Sequence, residues 1–296
     1  MTPTRLLRCP ALLLAVVFAA GATLADAQTA ATGHLVIIGG GTRPPEVMQK
    51  IAALAGGANG KMLIFPHASG VPETGPDLEK EFRALGLGAV VLVTADRTAA
   101  DTDAVLAQMD GATGVYFAGG DQNRVTAALL GTKVAQRLLA LYRNGAVIAG
   151  TSAGAAVMSR VMITGDEARP LTKDEAWQTI ESENVATAPG LGFLGDVILD
   201  QHFVRRRRFN RLLSLVLEQP TQLGVAIDEE TATWVKPDRT FEVIGRGPVL
   251  VVDASAGRAS KDAAAHGLRG ENLRLHVLRA GSRYDLNARQ VLRLVP

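Results

Sequence analysis

The chain has 296 residues, 47% of them hydrophobic and 20% charged, which is enough apolar material for one large α/β domain and too much for a disordered or low-complexity protein. Its formal net charge of +2 names no polyanionic partner, and an aromatic content of 4% argues against a stacking platform for single-stranded nucleic acid. The single cysteine is Cys9.

Residues 1–27 read as a secretory signal peptide. Arg5 and Arg8 precede the apolar run from Ala11 to Ala20, and Ala25-Asp26-Ala27 offers a small-x-small cleavage site. The apolar run is short for a membrane span, and no later stretch reaches the length one requires. Cleavage would remove Cys9, so the exported chain is expected to have no disulfide, cysteine nucleophile or cysteine metal site. Loss of Arg5, Arg8 and Asp26 brings the formal charge to about +1.

From His34 to Asp228, apolar β-branched runs alternate with helix-like stretches, the pattern of a mostly parallel sheet flanked by helices. The predicted strands are Leu35–Ile38, Met62–Phe65, Val90–Val93, Val115–Ala118, Ala146–Ala149, Val197–Leu199 and Val225–Ile227. Between them the punctuation by Pro, Asp, Thr and Gly predicts helices over Pro45–Leu54, Pro76–Leu85, Asp103–Met109, Asn123–Leu130, Lys133–Tyr142 and Arg206–Leu217. Past Asp228 come closely spaced strand-like runs, Thr233–Val235, Phe241–Ile244, Val249–Val252 and Leu273–Leu278. Without disulfides so short a tail would make a poor independent core. Residues 28–296 are therefore expected to form a single domain whose part from about 229 is β-rich.

Gly39-Gly40-Gly41 follows the first predicted strand, but a dinucleotide fingerprint needs a glycine at the sixth position, where Pro44 stands, and no Gly-Lys-Thr phosphate loop occurs. Nucleotide cofactors are not expected, and no metal site is either. Gly119-Gly120 closes the fourth predicted strand and leads into Asp121-Gln122-Asn123. In an open α/β sheet such loops at carboxyl strand ends line the ligand crevice. Here the backbone N–H of Gly120 is a candidate oxyanion donor and Gln122 a candidate substrate contact, beside the plainer reading that Asp121 or Asn123 caps a helix.

The most telling run is Gly150-Thr151-Ser152-Ala153-Gly154, set between the apolar Ala146–Ala149 and a small-residue, helix-competent stretch. This is the setting of a nucleophile elbow, in which glycines on both sides allow a turn tight enough to hold a serine hydroxyl in the open. The amide of Ala153, at the start of a helix, is the second candidate for the oxyanion hole. A serine nucleophile needs a general base, and among five histidines His202 stands out, because Asp200-Gln201-His202-Phe203 ends a strand and brings the imidazole to the same sheet edge as Ser152. The orienting carboxylate is open at this level. Asp166, Glu167, Asp174, Glu175, Glu181 and Glu183 lie between serine and histidine, and Glu229 follows a later strand. Arg205 to Arg208, with Arg211 one turn on, place guanidinium groups beside the base, where Arg208 and Arg211 share a helical face suited to gripping carboxylates.

Gly119-Gly120-Asp121-Gln122, the decapeptide from Gly150 to Ser159, and Asp200-Gln201-His202-Phe203 followed by Arg206, Arg208 and Arg211 resemble the cyanophycinases, serine peptidases of family S51, and in particular a secreted subgroup. The likeness runs from about His34 to Ala232. It implies a class I glutamine amidotransferase-like fold and metal-free hydrolysis of cyanophycin, a polyaspartate with arginine joined to each β-carboxyl, to β-aspartyl-arginine dipeptides. It also implies Ser152 as nucleophile, His202 as base and Glu167 as the acid, with Asp166 next and Glu229 third. Gln122, Asp200, Gln201, Arg206, Arg208 and Arg211 match its pocket positions. The partner implied is a β-linked aspartyl-arginine polymer or peptide, met outside the cell or in the periplasm, with no nucleic acid, no membrane after signal cleavage, and room for a homodimer. Two other readings suit part of the pattern: an α/β-hydrolase-type esterase, and a periplasmic binding protein that keeps the crevice without the chemistry.

Overall fold

The computed structural model of the protein describes residues 31–169, 178–262 and 266–295. The signal segment 1–27 with Cys9, and the carboxylates Asp174 and Glu175, lie outside the described residues. Strands β1 (His34–Ile38), β2 (Lys61–Phe65), β3 (Ala89–Leu92), β4 (Gly114–Phe117) and β5 (Val147–Thr151) alternate with helices α1 (Pro45–Leu54), α2 (Thr74–Ala84), α3 (Asp103–Gln108), α4 (Gln122–Leu129) and α5 (Lys133–Arg143). The five strands run parallel in the order β1-β5-β4-β2-β3.

Their apolar continuity follows from burial on both faces. Successive side chains point to opposite sides of a strand. Thus Val36, Ile38, Ile64, Tyr116 and Ala149 pack under Val47 and Ile51 of α1 and Leu78 and Phe82 of α2. Leu35, Ile37, Leu63, Phe117 and Ile148 pack on the other face, under Val125 and Leu129 of α4 and Val134 and Leu138 of α5. Asp121 caps α4 by accepting the Asn123 N–H at 2.8 Å, and Thr132 caps α5 by accepting the Ala135 N–H at 3.3 Å.

After β5 come the one-turn helix α6 (Ala153–Ala156), an antiparallel ribbon of β6 (Val161–Glu167) and β7 (Val185–Pro189), then β8 (Val197–Gln201), α7 (Phe209–Glu218) and β9 (Leu223–Ile227). The chain continues through β10 (Thr231–Val235), β11 (Thr240–Gly245), β12 (Val249–Asp253), a hairpin of β13 (Arg258–Lys261) and β14 (Leu268–Glu271), then β15 (Arg274–Leu278), β16 (Arg283–Asp285) and β17 (Gln290–Arg293). Strands β10, β11, β16 and β17 extend the parallel sheet beyond β1 by antiparallel pairing, giving nine strands in the order β17-β16-β11-β10-β1-β5-β4-β2-β3. These four strands of the β-rich tail thereby complete the main sheet.

One expectation is corrected. The last two predicted strands of the parallel set do not join the main sheet. As β8 and β9 they pair with each other and with β12 in a second, four-stranded sheet, β15-β12-β9-β8. One of its faces is covered by Leu212, Leu215 and Val216 of α7, while Val197, Leu199, Val225 and Ile227 enter the common core with the main sheet. A strand buried on both faces reads as a continuous apolar run whichever sheet it belongs to, so apolarity alone did not assign the sheet.

Candidate active site

The site lies where carboxyl strand ends of the two sheets meet. At the end of β5 the backbone of Ser152 adopts φ 53° and ψ −111°, a conformation that costs a non-glycine residue on the order of 1–3 kcal/mol and is held by its surroundings. Glycines on either side permit it. A Cβ at Gly150 would collide with the Gly154 backbone, and one at Gly154 with the carbonyl of Phe117 on the neighbouring strand. The Ser152 N–H donates to the Ile38 carbonyl at 3.0 Å, and its own carbonyl accepts from Ala155 and Ala156, both at 3.0 Å. This pins the elbow and leaves the side chain partly exposed.

His202 stands at the end of β8, also with positive φ, 48°. Its Nε2 is 2.8 Å from Ser152 Oγ, and its Nδ1 is 2.6 Å from Glu229 Oε1, at the end of β9. With Nδ1 donating to the carboxylate, Nε2 is the acceptor for the serine hydroxyl, the tautomer a general base requires. Burial pushes the imidazole below its ordinary pKa, the bond to Glu229 works in the opposite direction, and the nearby charge of Arg206 lowers it further. The same bond to His202 draws the Glu229 carboxyl below the usual carboxylate range. At neutral pH the pair is therefore a neutral imidazole beside a carboxylate, the state ready to accept a proton.

The Gly39-Gly40-Gly41 loop, which carries no nucleotide fingerprint, is the seat of this pair. Gly39 accepts the His202 N–H at 2.7 Å, and Gly40 accepts the Glu230 N–H at 2.9 Å. Gly40 has φ 112°, and a Cβ there would enter the His202 ring. Asp228 Oδ1 accepts the Val204 and Arg205 amides at 3.1 and 3.0 Å, tying the loop after His202 to the end of β9.

The expected acid is corrected. Glu167, at the end of β6, accepts from Asn184 Nδ2 at 3.5 Å, while both ring nitrogens of His202 are already occupied by Ser152 and Glu229. Asp166 is exposed on the same ribbon. The carboxylate facing the imidazole is Glu229, the third of the sequence candidates.

The predicted pocket residues divide. Arg211 and Asp200 form a bidentate pair, with Arg211 Nε 2.8 Å from Asp200 Oδ2 and a second contact from Nη2 to Oδ1; both residues are buried. Each neutralises the other in the interior, so neither stands open to a substrate, contrary to expectation. Gln122 gives its side-chain NH2 to the carbonyls of Ile163 and Thr164 at 2.8 and 2.5 Å, holding β6 against α4. Gln201 offers its main-chain and side-chain oxygens to Arg208 Nη1 at 2.8 and 2.7 Å. Burial, followed by the charge of Arg211, pushes Arg208 down to about 10. Arg206 is exposed on the loop beside the imidazole. Gly119 borders the nucleophile, since a Cβ there would lie 3.4 Å from Ser152 Cβ, and Gly120 follows it in the same turn, against the Ala68 carbonyl. Among the described residues the Gly120 and Ala153 N–H groups have no backbone acceptor. No group of three or more His, Cys, Asp or Glu among the described residues is placed to hold a metal ion.

A serine at a strained strand-to-helix turn, hydrogen-bonded to a histidine that a carboxylate orients, defines a serine hydrolase of the nucleophile-elbow type. The chain belongs to peptidase family S51, whose profile matches residues 35–243, and it is a serine-type peptidase. It is 34% identical to the cyanophycinase of Synechococcus elongatus over 268 residues, covering 88% of this chain and 81% of that one. It is 35% identical to the cyanophycinase of Geminocystis herdmanii (strain PCC 6308), covering 86% and 94%. In fold it matches a peptidase from an acI-B1 Actinobacterium with a TM-score of 0.62 at 21% identity, over 88% of this chain and 99% of that one. Membership of the family sets aside both the esterase and the non-catalytic binding protein. Among the described residues no helix is long and apolar enough to cross a membrane.

Proposed function

We propose that the protein is an exported serine exopeptidase that hydrolyses cyanophycin, multi-L-arginyl-poly-L-aspartate, to β-Asp-Arg dipeptides through an acyl-enzyme on Ser152. The observation that carries this reading is the unbroken chain from Ser152 Oγ through His202 to Glu229, in a protein that resembles cyanophycinases over most of its length.

As Oγ attacks a backbone aspartyl carbonyl, its proton passes to His202 Nε2, and Glu229 stabilises the imidazolium that results. The oxyanion that develops lies against the Gly120 and Ala153 amides, which need no reorganisation to receive it. His202 then returns the proton to the leaving amine, whose C–N bond breaks to leave the acyl-enzyme. A water, deprotonated by the same imidazole, attacks the ester, and that proton returns to Ser152 Oγ as the acyl group is released. Arg206 and Arg208, beside the base, supply positive charge for substrate carboxylates. Export rests on residues 1–27, and amino-terminal sequencing of the exported protein would test it by showing whether the chain starts at Gln28.

Incubation of the purified protein with cyanophycin tests the reading. A product of β-Asp-Arg mass is expected, and free arginine as the principal product would refute it, because that would mean attack on the side-chain amide.

A further inference from the structure

Beyond the triad and its arginine loop, a cavity of about 480 Å³ opens on the far side of the Gly119-Gly120 turn. It is large enough for a small ligand group. It is lined by Pro66, Ser69, Val71 and Pro72 after β2, Thr94 and Asp96 after β3, and Arg124 on α4, all at the carboxyl edge that also carries Ser152. The turn is shared between the two sites. Gly119 faces the Cβ of Ser152, the Asp121 N–H donates to the Ala68 carbonyl at 2.9 Å, and a Cβ at Gly120 would collide with that carbonyl. A second cavity, of about 260 Å³, lies at the amino ends of β4 and β5 and has no charged side chain in its wall.

The larger cavity presents both signs of charge without pairing them. Among the described residues the Arg124 guanidinium has no hydrogen-bond or ionic partner, and it lies over the Gly70 backbone. Asp96 accepts the Ala99 N–H through Oδ1 at 2.8 Å, leaving Oδ2 for another donor. Val71, 60% exposed, and Pro72 add apolar surface to the same lining. An arginyl group linked through its α-amine has the complementary parts: a free carboxylate, a short methylene stem and a guanidinium. The carboxylate suits Arg124, the stem packs on Val71 and Pro72, and the guanidinium suits Asp96.

The geometry points to this cavity as a second subsite, which takes the arginyl side group of a neighbouring unit of an extended β-linked aspartyl-arginine chain while the scissile unit sits at Ser152. The inference rests on the function proposed above and adds to it a preference for longer substrates.

The test uses the full chain carrying Ser152→Ala, titrated calorimetrically with β-Asp-Arg oligomers of two and of four units. The four-unit oligomer is expected to bind about tenfold more tightly than the two-unit one, the scale of one charged hydrogen bond at a wet site. Arg124→Gln and Asp96→Asn, both at exposed side chains, should each remove most of that gain and leave two-unit binding unchanged. Equal affinity for the two lengths, or a length gain that survives both substitutions, overturns the subsite. Failure of both oligomers to bind instead overturns the substrate reading, and the subsite with it.

Discussion

Glu229→Gln replaces a carboxylate 2.6 Å from His202 Nδ1 by a neutral amide of the same shape. What is lost is the attraction between that carboxylate and the imidazolium formed in the transition state. Two unit charges about 4 Å apart at an effective dielectric near 20 interact by about 4 kcal/mol. That corresponds to about a thousandfold in rate. The Glu229 side chain retains 28% of its exposure, and solvent screening brings the expected loss in turnover to about 100- to 1,000-fold. Dipeptide release from cyanophycin would be followed by mass analysis, with thermal unfolding to establish that the variant is folded. The pH profile supplies an independent sign. The bond to Glu229 raises the His202 pKa, so its loss should move the acid limb of kcat/KM to lower pH. Glu167→Gln should stay within about threefold of wild type, well short of the loss of a general-base contribution. Near-normal turnover in Glu229→Gln beside a collapse in Glu167→Gln would refute the reasoning.

His202→Ala should lose as much turnover as Ser152→Ala, on the order of a thousandfold or more, with the double variant scarcely worse because the two groups act as one unit; additive losses would count against the pairing. Arg206→Gln removes a positive charge that lowers the His202 pKa, so the acid limb should move to higher pH, opposite to Glu229→Gln; an unmoved limb would mean that Arg206 does not act on the base. Asp200→Ala removes the bidentate carboxylate that neutralises the buried Arg211 guanidinium and should cost about 3–5 kcal/mol in denaturant unfolding, whereas a loss under 1 kcal/mol would show that the rest of its surroundings carries the charge.

Much of this architecture was legible because local chemistry wrote it. The predicted bounds of α1, Pro45–Leu54, are those observed, set by a proline at the first turn and an apolar stripe with helical spacing. The elbow was legible because few local structures need glycine on both sides of a serine, and His202 because it closes a strand. Glu229 carries no such local mark. Ser152, His202 and Glu229 each follow the carboxyl end of a strand, and that shared placement distinguishes Glu229 from carboxylates on the β6–β7 ribbon. The role of Gly39-Gly40-Gly41 was invisible locally, since its partners lie more than 150 positions away. So was the Asp200–Arg211 pair. A run of arginines beside a catalytic histidine looks the same whether a guanidinium meets substrate or turns inward to a buried carboxylate, and only the packing of α7 against β8 decides it.

The most direct measurement of the central claim is product analysis of cyanophycin incubated with the wild-type protein and, in parallel, with Ser152→Ala. The account predicts β-Asp-Arg dipeptides from the wild type and none above background from the variant. No dipeptide from the folded wild-type protein, or equal release from the variant with contamination excluded, would contradict it.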